Sequence, residues 1–233
     1  MRGTGDESAL PRDDADNESG LPSDGADAPV VIATRNAGKI RELRGLLAAA
    51  GFASDDLGSL GIAEDPAEGE LEVFDTFEQN AAAKARWFAR LLPGRTVIAD
   101  DSGLEVLALS GAPGVRSKRF SGSSRTGAAL DKANNAALQH ALRDVAERRA
   151  RYVCVAVCVQ GERTWSARGE CAGMILDAPR GAGGFGYDPY FLSDELQRTF
   201  AEASEAEKAR VSHRGRAVRE VLRGLQRAGR GAV

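Results

Sequence analysis

The chain has 233 residues, 42% hydrophobic and 28% charged, enough apolar material for one domain with a substantial core. Its formal charge of −3 is unevenly spread: residues 1–28 hold eight acidic residues and two arginines, and setting aside their −6 leaves +3 on the rest. That mild positive charge suits a small polyanion and falls short of what nucleic-acid binding needs, while no apolar run approaches the roughly 20 residues that cross a bilayer.

Residues 1–28 are expected to form a disordered acidic tail, with a folded domain over 29–233. They lack the apolar stretch of a secretory leader, so a cytoplasmic location is expected. The apolar run Val30-Val31-Ile32-Ala33 predicts a strand over 30–34. It leads into Thr34-Arg35-Asn36-Ala37-Gly38-Lys39 and a helix over 38–50, with Ile40, Leu43, Leu46 and Leu47 on one face. Strand, small polar loop and helix form a phosphate-binding arrangement, because free N–H groups at a helix start and a lysine ammonium both favour an anion. The loop is not a Walker A sequence, and a plain cap at Asn36 is the competing reading.

An acidic connecting stretch, 54–75, precedes a helix capped by Thr76 and running to about Leu91. Val97-Ile98-Ala99 then enters Asp100-Asp101-Ser102-Gly103, which predicts a buried strand over 97–100 ending at a site, with glycine turning the chain. Two carboxylates beside a hydroxyl suit a hard divalent cation that carries phosphates. Side chains alternate along a strand, so only one aspartate can enter a given cleft and the other is structural. A solvated Asp-Asp-Ser turn is the alternative.

A glycine-rich stretch, 110–124, precedes a long helix predicted from about Thr126 to Arg149. Strands over 151–160 and 164–176 form a hairpin through Gly161-Glu162. Cys154 and Cys158 alternate with valines there and read as small core residues. With Cys171 they make an odd count without C-x-x-C spacing, which excludes a disulfide framework or zinc site. Gly183-Gly184-Phe185-Gly186-Tyr187-Asp188-Pro189 supplies a backbone that can approach a ligand and a ring to stack on a base. A glycine turn with Phe185 in the core is the plainer reading.

Lys208 and Ser212-His213-Arg214-Gly215-Arg216-Ala217 precede a closing helix over Gly215–Ala228. Cations at a helix start oppose the macrodipole, so they point to an anionic ligand. Lysine is scarce, at five residues against 26 arginines, and three of the five fall in these segments. A compact ammonium suits a crowded phosphate site better than a planar fork. Interleaved helices with a hairpin imply an α/β fold with a mixed sheet.

TRNAGK (34–39), TFEQNAAAKA (76–85), ADDSGLEV (99–106), GAPGVRSKRFSG (111–122), GGFGYDP (183–189) and SHRGRA (212–217) occur in that order. Together they resemble the motifs of the inosine/xanthosine triphosphate pyrophosphatases, from about Val30 to about Leu225. The resemblance implies a bent mixed sheet flanked by helices, two lobes with the active cleft between them, and a homodimer. It implies Mg2+-dependent hydrolysis of ITP, dITP and XTP to monophosphate and pyrophosphate, which cleanses the nucleotide pool.

By the same resemblance, Thr34, Arg35, Asn36, Ala37, Gly38 and Lys39 form the phosphate loop, and Lys84 faces phosphate. Asp101 is the general base and a magnesium ligand, and Ser102 touches substrate. Phe185, Gly186, Tyr187 and Asp188 form the base loop, with Lys208, His213 and Arg214 as the remaining nucleotide contacts. The second metal carboxylate falls on Glu72, although Val73-Phe74-Asp75 replaces the family's glycine-containing spacer and leaves Glu70 and Asp75 as alternatives. His140 lies outside every motif and reads as a helix-surface residue. A Maf-like nucleotide pyrophosphatase of other specificity and a non-catalytic nucleotide sensor remain rival readings. The GGFGYDP and SHRGRA segments speak against the first and Asp101 against the second.

Overall fold

In the computed structural model, which describes residues 28–230, the apolar runs pair into one open sheet of six strands. The expected tail, all but its last residue, lies outside the described residues. Strands β1 (Val30–Ile32), β2 (Ser54–Asp56) and β3 (Val97–Val106) run parallel in the order β2-β1-β3. Antiparallel β4 (Arg149–Gln160), β5 (Arg163–Ile175) and β6 (Phe191–Ser193) follow outward from β3. Helices α1 (Ala37–Ala49), α2 (Phe77–Leu91), α3 (Gly127–Ala141), α4 (Glu205–Val211) and α5 (His213–Arg230) flank the sheet.

Strand alternation divides the core. Ile98, Cys154, Ala156 and Cys158 face α1 and α5, packing with Leu43, Leu47, Val218 and Leu222. Val97, Ala99, Val153, Val155 and Val157 face α2, against Ala81, Ala85 and Phe88. The far halves of the long strands build a separate core in which Leu104 and Tyr152 meet Leu138, Phe191 and Phe200. Asp100, Asp101 and Ser102 sit on β3 where these cores meet, opposite Ala156, Val155 and Cys154.

Several boundaries differ from the sequence reading. Strand β3 does not end at the aspartates and Gly103 does not turn the chain. Gly103 lies inside the strand because a Cβ there would stand 2.2 Å from the Gly114 carbonyl oxygen and 2.5 Å from Ser117 Oγ. Helix α3 stops at Ala141 rather than near Arg149: Asp144 takes a left-handed conformation (φ 36°), and Arg148 donates to the Leu142 carbonyl. Leu142 and Val145 keep helical spacing beyond the true end, so periodicity alone overextends the helix. The stretch 54–75 is not a bare connector. It contains β2 and a 3-10 turn, Pro66–Glu72, started by an Asp65/Glu68 capping box with proline behind the cap. Helix α4, with its own Ser204/Glu207 box, and β6 are too short to show a period in the sequence. The last helix begins at His213, two residues before the expected start.

Candidate active site

The loop after β1 is held by its own polar side chains. Asn36 caps α1, accepting the Lys39 N–H at 3.0 Å, and the Thr34 hydroxyl accepts the Asn36 N–H at 3.3 Å. Ala37, Gly38 and Lys39 form the first turn, beside a cleft of about 200 Å3. Thr34, Asn36, Lys39, Glu72, Lys84 and Lys118 line that cleft. Arg35 also borders it, but its guanidinium is bound to Glu68.

The two aspartates enter different surroundings. Asp100 shares the face of Ile98, is fully buried, and meets Lys39 Nζ at 3.2 Å and Arg214 Nε at 3.2 Å. Burial opposes its charge, yet Lys39, Arg214 and Lys84 hold its carboxyl far below the usual range. Asp101 faces α2, where Asn80 donates to Oδ2 at 2.9 Å and Lys84 Nζ stands 3.8 Å from Oδ1. Its pKa is raised: burial, aided by the Glu72 charge, outweighs Lys84 and Lys39. Neighbouring residues on one strand thus supply a carboxylate held in its charged form by cations and one of raised pKa.

Glu72 lies across Lys84 from Asp101, accepting from Nζ at 2.7 Å. Burial pushes its pKa up, but Lys84, Lys39 and Lys118 bring it down to about 2. Glu70 and Asp75 are exposed. Among the described residues there is no cluster of three or more histidine, cysteine or carboxylate groups for a metal. Glu72 and Asp101, two hard oxygen donors facing one shared cation, fit Mg2+, which is held by one or two carboxylates together with water and substrate phosphates.

The glycine-rich loop forms the other half of the site. A Cβ on Gly38 would lie 2.5 Å from Phe185 Cδ1, so the half-buried ring rests directly on the first turn of α1. Lys208 Nζ stands 5.0 Å and Arg214 Cζ 5.7 Å from its centroid. Asp131 accepts the Gly186 N–H and Asn135 donates to the Gly186 carbonyl, both at 2.8 Å. Tyr187 turns into the core and donates to the Ser117 carbonyl. Asp188 is buried, accepting the Phe185 N–H at 2.9 Å and pairing with Lys208.

Lys208 also pairs with Glu42, at 2.6 Å. Arg214 binds Glu42 and Asp100 and donates to Ser102 Oγ at 2.7 Å. The anions that these helix-start cations face here are therefore side chains. His213 stacks on Tyr152 at 4.5 Å between centroids, while His140 is exposed.

Burial, with Arg214 and Lys208 nearby, holds the His213 pKa well below its ordinary 6.5, and its Nδ1 has no partner among the described residues. The folded protein keeps this ring neutral while the unfolded chain binds a proton below about pH 6.5, so stability falls with acidification from there. His213→Phe keeps the stacked ring and removes the proton. Urea unfolding from pH 7 to about 5 should show a shallower loss for the variant, by up to about 1.4 kcal/mol per pH unit. Equal slopes would mean that His213 is not held neutral.

Glu42, Asn80 and Lys118 were missed in the motif reading. Asn80 had a visible signal, since it and Lys84 fall on the buried stripe of Phe77, Ala81, Ala85 and Phe88. A polar residue on such a stripe needs a buried partner.

Residues 30–223 match the Ham1 family. The chain belongs to that family. The Ham1 protein of Staphylococcus aureus shares its fold with a TM-score of 0.69 at 35% identity, covering 88% of this chain and 100% of that one. The HAM1 protein of Coxiella burnetii gives 0.71 at 33%, covering 85% and 98%. The dITP/XTP pyrophosphatase of Acidobacterium capsulatum is 46% identical over 196 residues, 82% of this chain and 95% of that protein. Its counterpart in Ralstonia nicotianae is 46% identical over 200 residues, 84% and 96%. The open mixed sheet flanked by helices is thus the Ham1 fold.

Proposed function

We propose that this chain, a nucleoside triphosphate pyrophosphatase of the Ham1 family, hydrolyses dITP, ITP and XTP at the α-phosphorus with Mg2+. The observation that carries the reading is the pairing of Asp101, less acidic than usual, with ionised Glu72 across Lys84 beside a helix start. The names of the close relatives support the substrate class.

Asp101 takes the proton of the attacking water, and Asn80 fixes the carboxylate by holding Oδ2. The water oxygen bonds to the α-phosphorus as the bridging bond to the β-phosphate breaks, so pyrophosphate leaves. Asp101 and Glu72 would hold Mg2+, which when bound would supply charge stabilisation to the phosphate oxygens. Lys39, Lys84 and Lys118, which line the cleft beside the start of α1, hold the phosphates.

The base lies against Phe185. Lys208 and Arg214 are neutralised by Glu42, Asp188 and Asp100, so they act there as directed donors rather than as net positive charge that would draw in phosphate. A 6-oxo purine accepts from such donors. Adenine presents a 6-amino group instead, a donor set against donors, and gains no such bond. The same reading makes the enzyme a cytoplasmic homodimer, its mass checked by light scattering.

Product analysis tests the reaction. Pyrophosphate and dIMP are expected from dITP, abolished by chelation and restored by Mg2+. Orthophosphate with dIDP, or turnover without metal, would refute the scheme. The base site has its own test in Gly38→Ala. Alanine favours the helix by about 1 kcal/mol, but its methyl pushes the Phe185 ring away. Stacking is worth about 1–3 kcal/mol per base, so KM for dITP should rise about fivefold or more with little change in kcat. An unchanged KM would remove Phe185 from the base site.

A further inference from the structure

Arg35 stands between Thr34 and Asn36, in the loop proposed to meet phosphate, yet its guanidinium is committed elsewhere. Nε and NH2 make a fork with Glu68, at 3.1 and 2.7 Å. NH1 donates to the Ile62 carbonyl at 2.7 Å and NH2 to the Ala63 carbonyl at 2.8 Å. Four of the five N–H groups of an arginine are thereby used. Glu68 also accepts the Asp65 N–H at 3.1 Å, closing the capping box of the 3-10 turn Pro66–Glu72.

One side chain of the phosphate loop therefore grips the chain before the cap and, through Glu68, the first turn of the segment that ends in Glu72. The far end of that segment is held at Glu72 itself, whose carbonyl accepts from Arg119 at 2.6 Å and whose carboxylate pairs with Lys84. The sequence Val73-Phe74-Asp75 that follows is exposed.

We infer that Arg35 is a positioning residue rather than a phosphate ligand: by clamping Glu68 and the carbonyls of Ile62 and Ala63, it sets Glu72 opposite Asp101. The role given to Glu72 rests on the proposed function above. A planar bidentate pair suits this task because it fixes orientation as well as distance.

The test uses the full chain with Arg35→Ala, Arg35→Lys, Glu68→Ala and the Arg35→Ala/Glu68→Ala pair, folding checked by circular dichroism. Loss of such a supporting contact typically costs about 10-fold or more in metal affinity or activity. Arg35→Ala and Glu68→Ala should each raise the Mg2+ concentration for half-maximal dITP turnover by about that factor and lower kcat. KM for dITP should stay within about twofold, since the nucleotide loses no contact. The double variant should be no worse than either single one. Arg35→Lys should rescue little, because an ammonium cannot reproduce the fork.

Amide hydrogen exchange of residues 62–72, measured without nucleotide or metal, should accelerate in both alanine variants. A raised KM in Arg35→Ala with a silent Glu68→Ala and unchanged exchange would make Arg35 a phosphate ligand and overturn the inference. If the wild-type chain fails to turn over dITP, the proposed function falls. The clamp is then decided by exchange: acceleration in both variants upholds it, and unchanged exchange refutes it.

Discussion

Asp101→Asn is expected to lower kcat on dITP by on the order of 100-fold or more, because it removes a general base and a metal carboxylate together. Stability should move little. Asp101 has a raised pKa and repels Glu72, so an amide relieves a like-charge contact while keeping the Asn80 side. A melting temperature at or slightly above wild type, with turnover nearly abolished, is the expected result, as when a strained functional group is removed. A variant with more than about a tenth of wild-type kcat would show that another group activates the water.

Asp100→Asn should act in the opposite sense. The carboxylate is buried among Lys39, Arg214 and Lys84, and its loss leaves cations inside the protein with one anion fewer. Breaking a buried pair on one side costs about 3–5 kcal/mol, which for a chain of this size lowers Tm by roughly 6–20 °C. Differential scanning calorimetry on both variants separates the roles. If Asp100→Asn melts like wild type, the buried network is not what joins β3, α1 and α5.

Much of the fold was legible where a single rule governed the residues. The Thr76 cap starts α2 as read, and Asn36, the competing reading for its loop, caps α1 one residue before the expected start. The alternation of Cys154 and Cys158 with valines places the cysteines toward α1 and α5 and the valines toward α2. The rest depends on partners distant in sequence. Gly103 reads as a turn until the Gly114 carbonyl is brought against it. The carboxylates that Lys39, Lys84 and Lys208 face lie far from them in sequence and show only in the fold. Glu42 shows nothing unusual on α1 until Lys208 and Arg214 fold against it.

We propose that this cleft hydrolyses oxo-purine triphosphates in preference to canonical adenine nucleotides. The direct test is kcat/KM for ITP, dITP, XTP and ATP, measured by pyrophosphate release with saturating Mg2+. A site arranged to donate to a 6-oxo oxygen can discriminate against a 6-amino group by at least about 100-fold, so ATP should fall below the others by that factor. Equal turnover of ATP and ITP would contradict it.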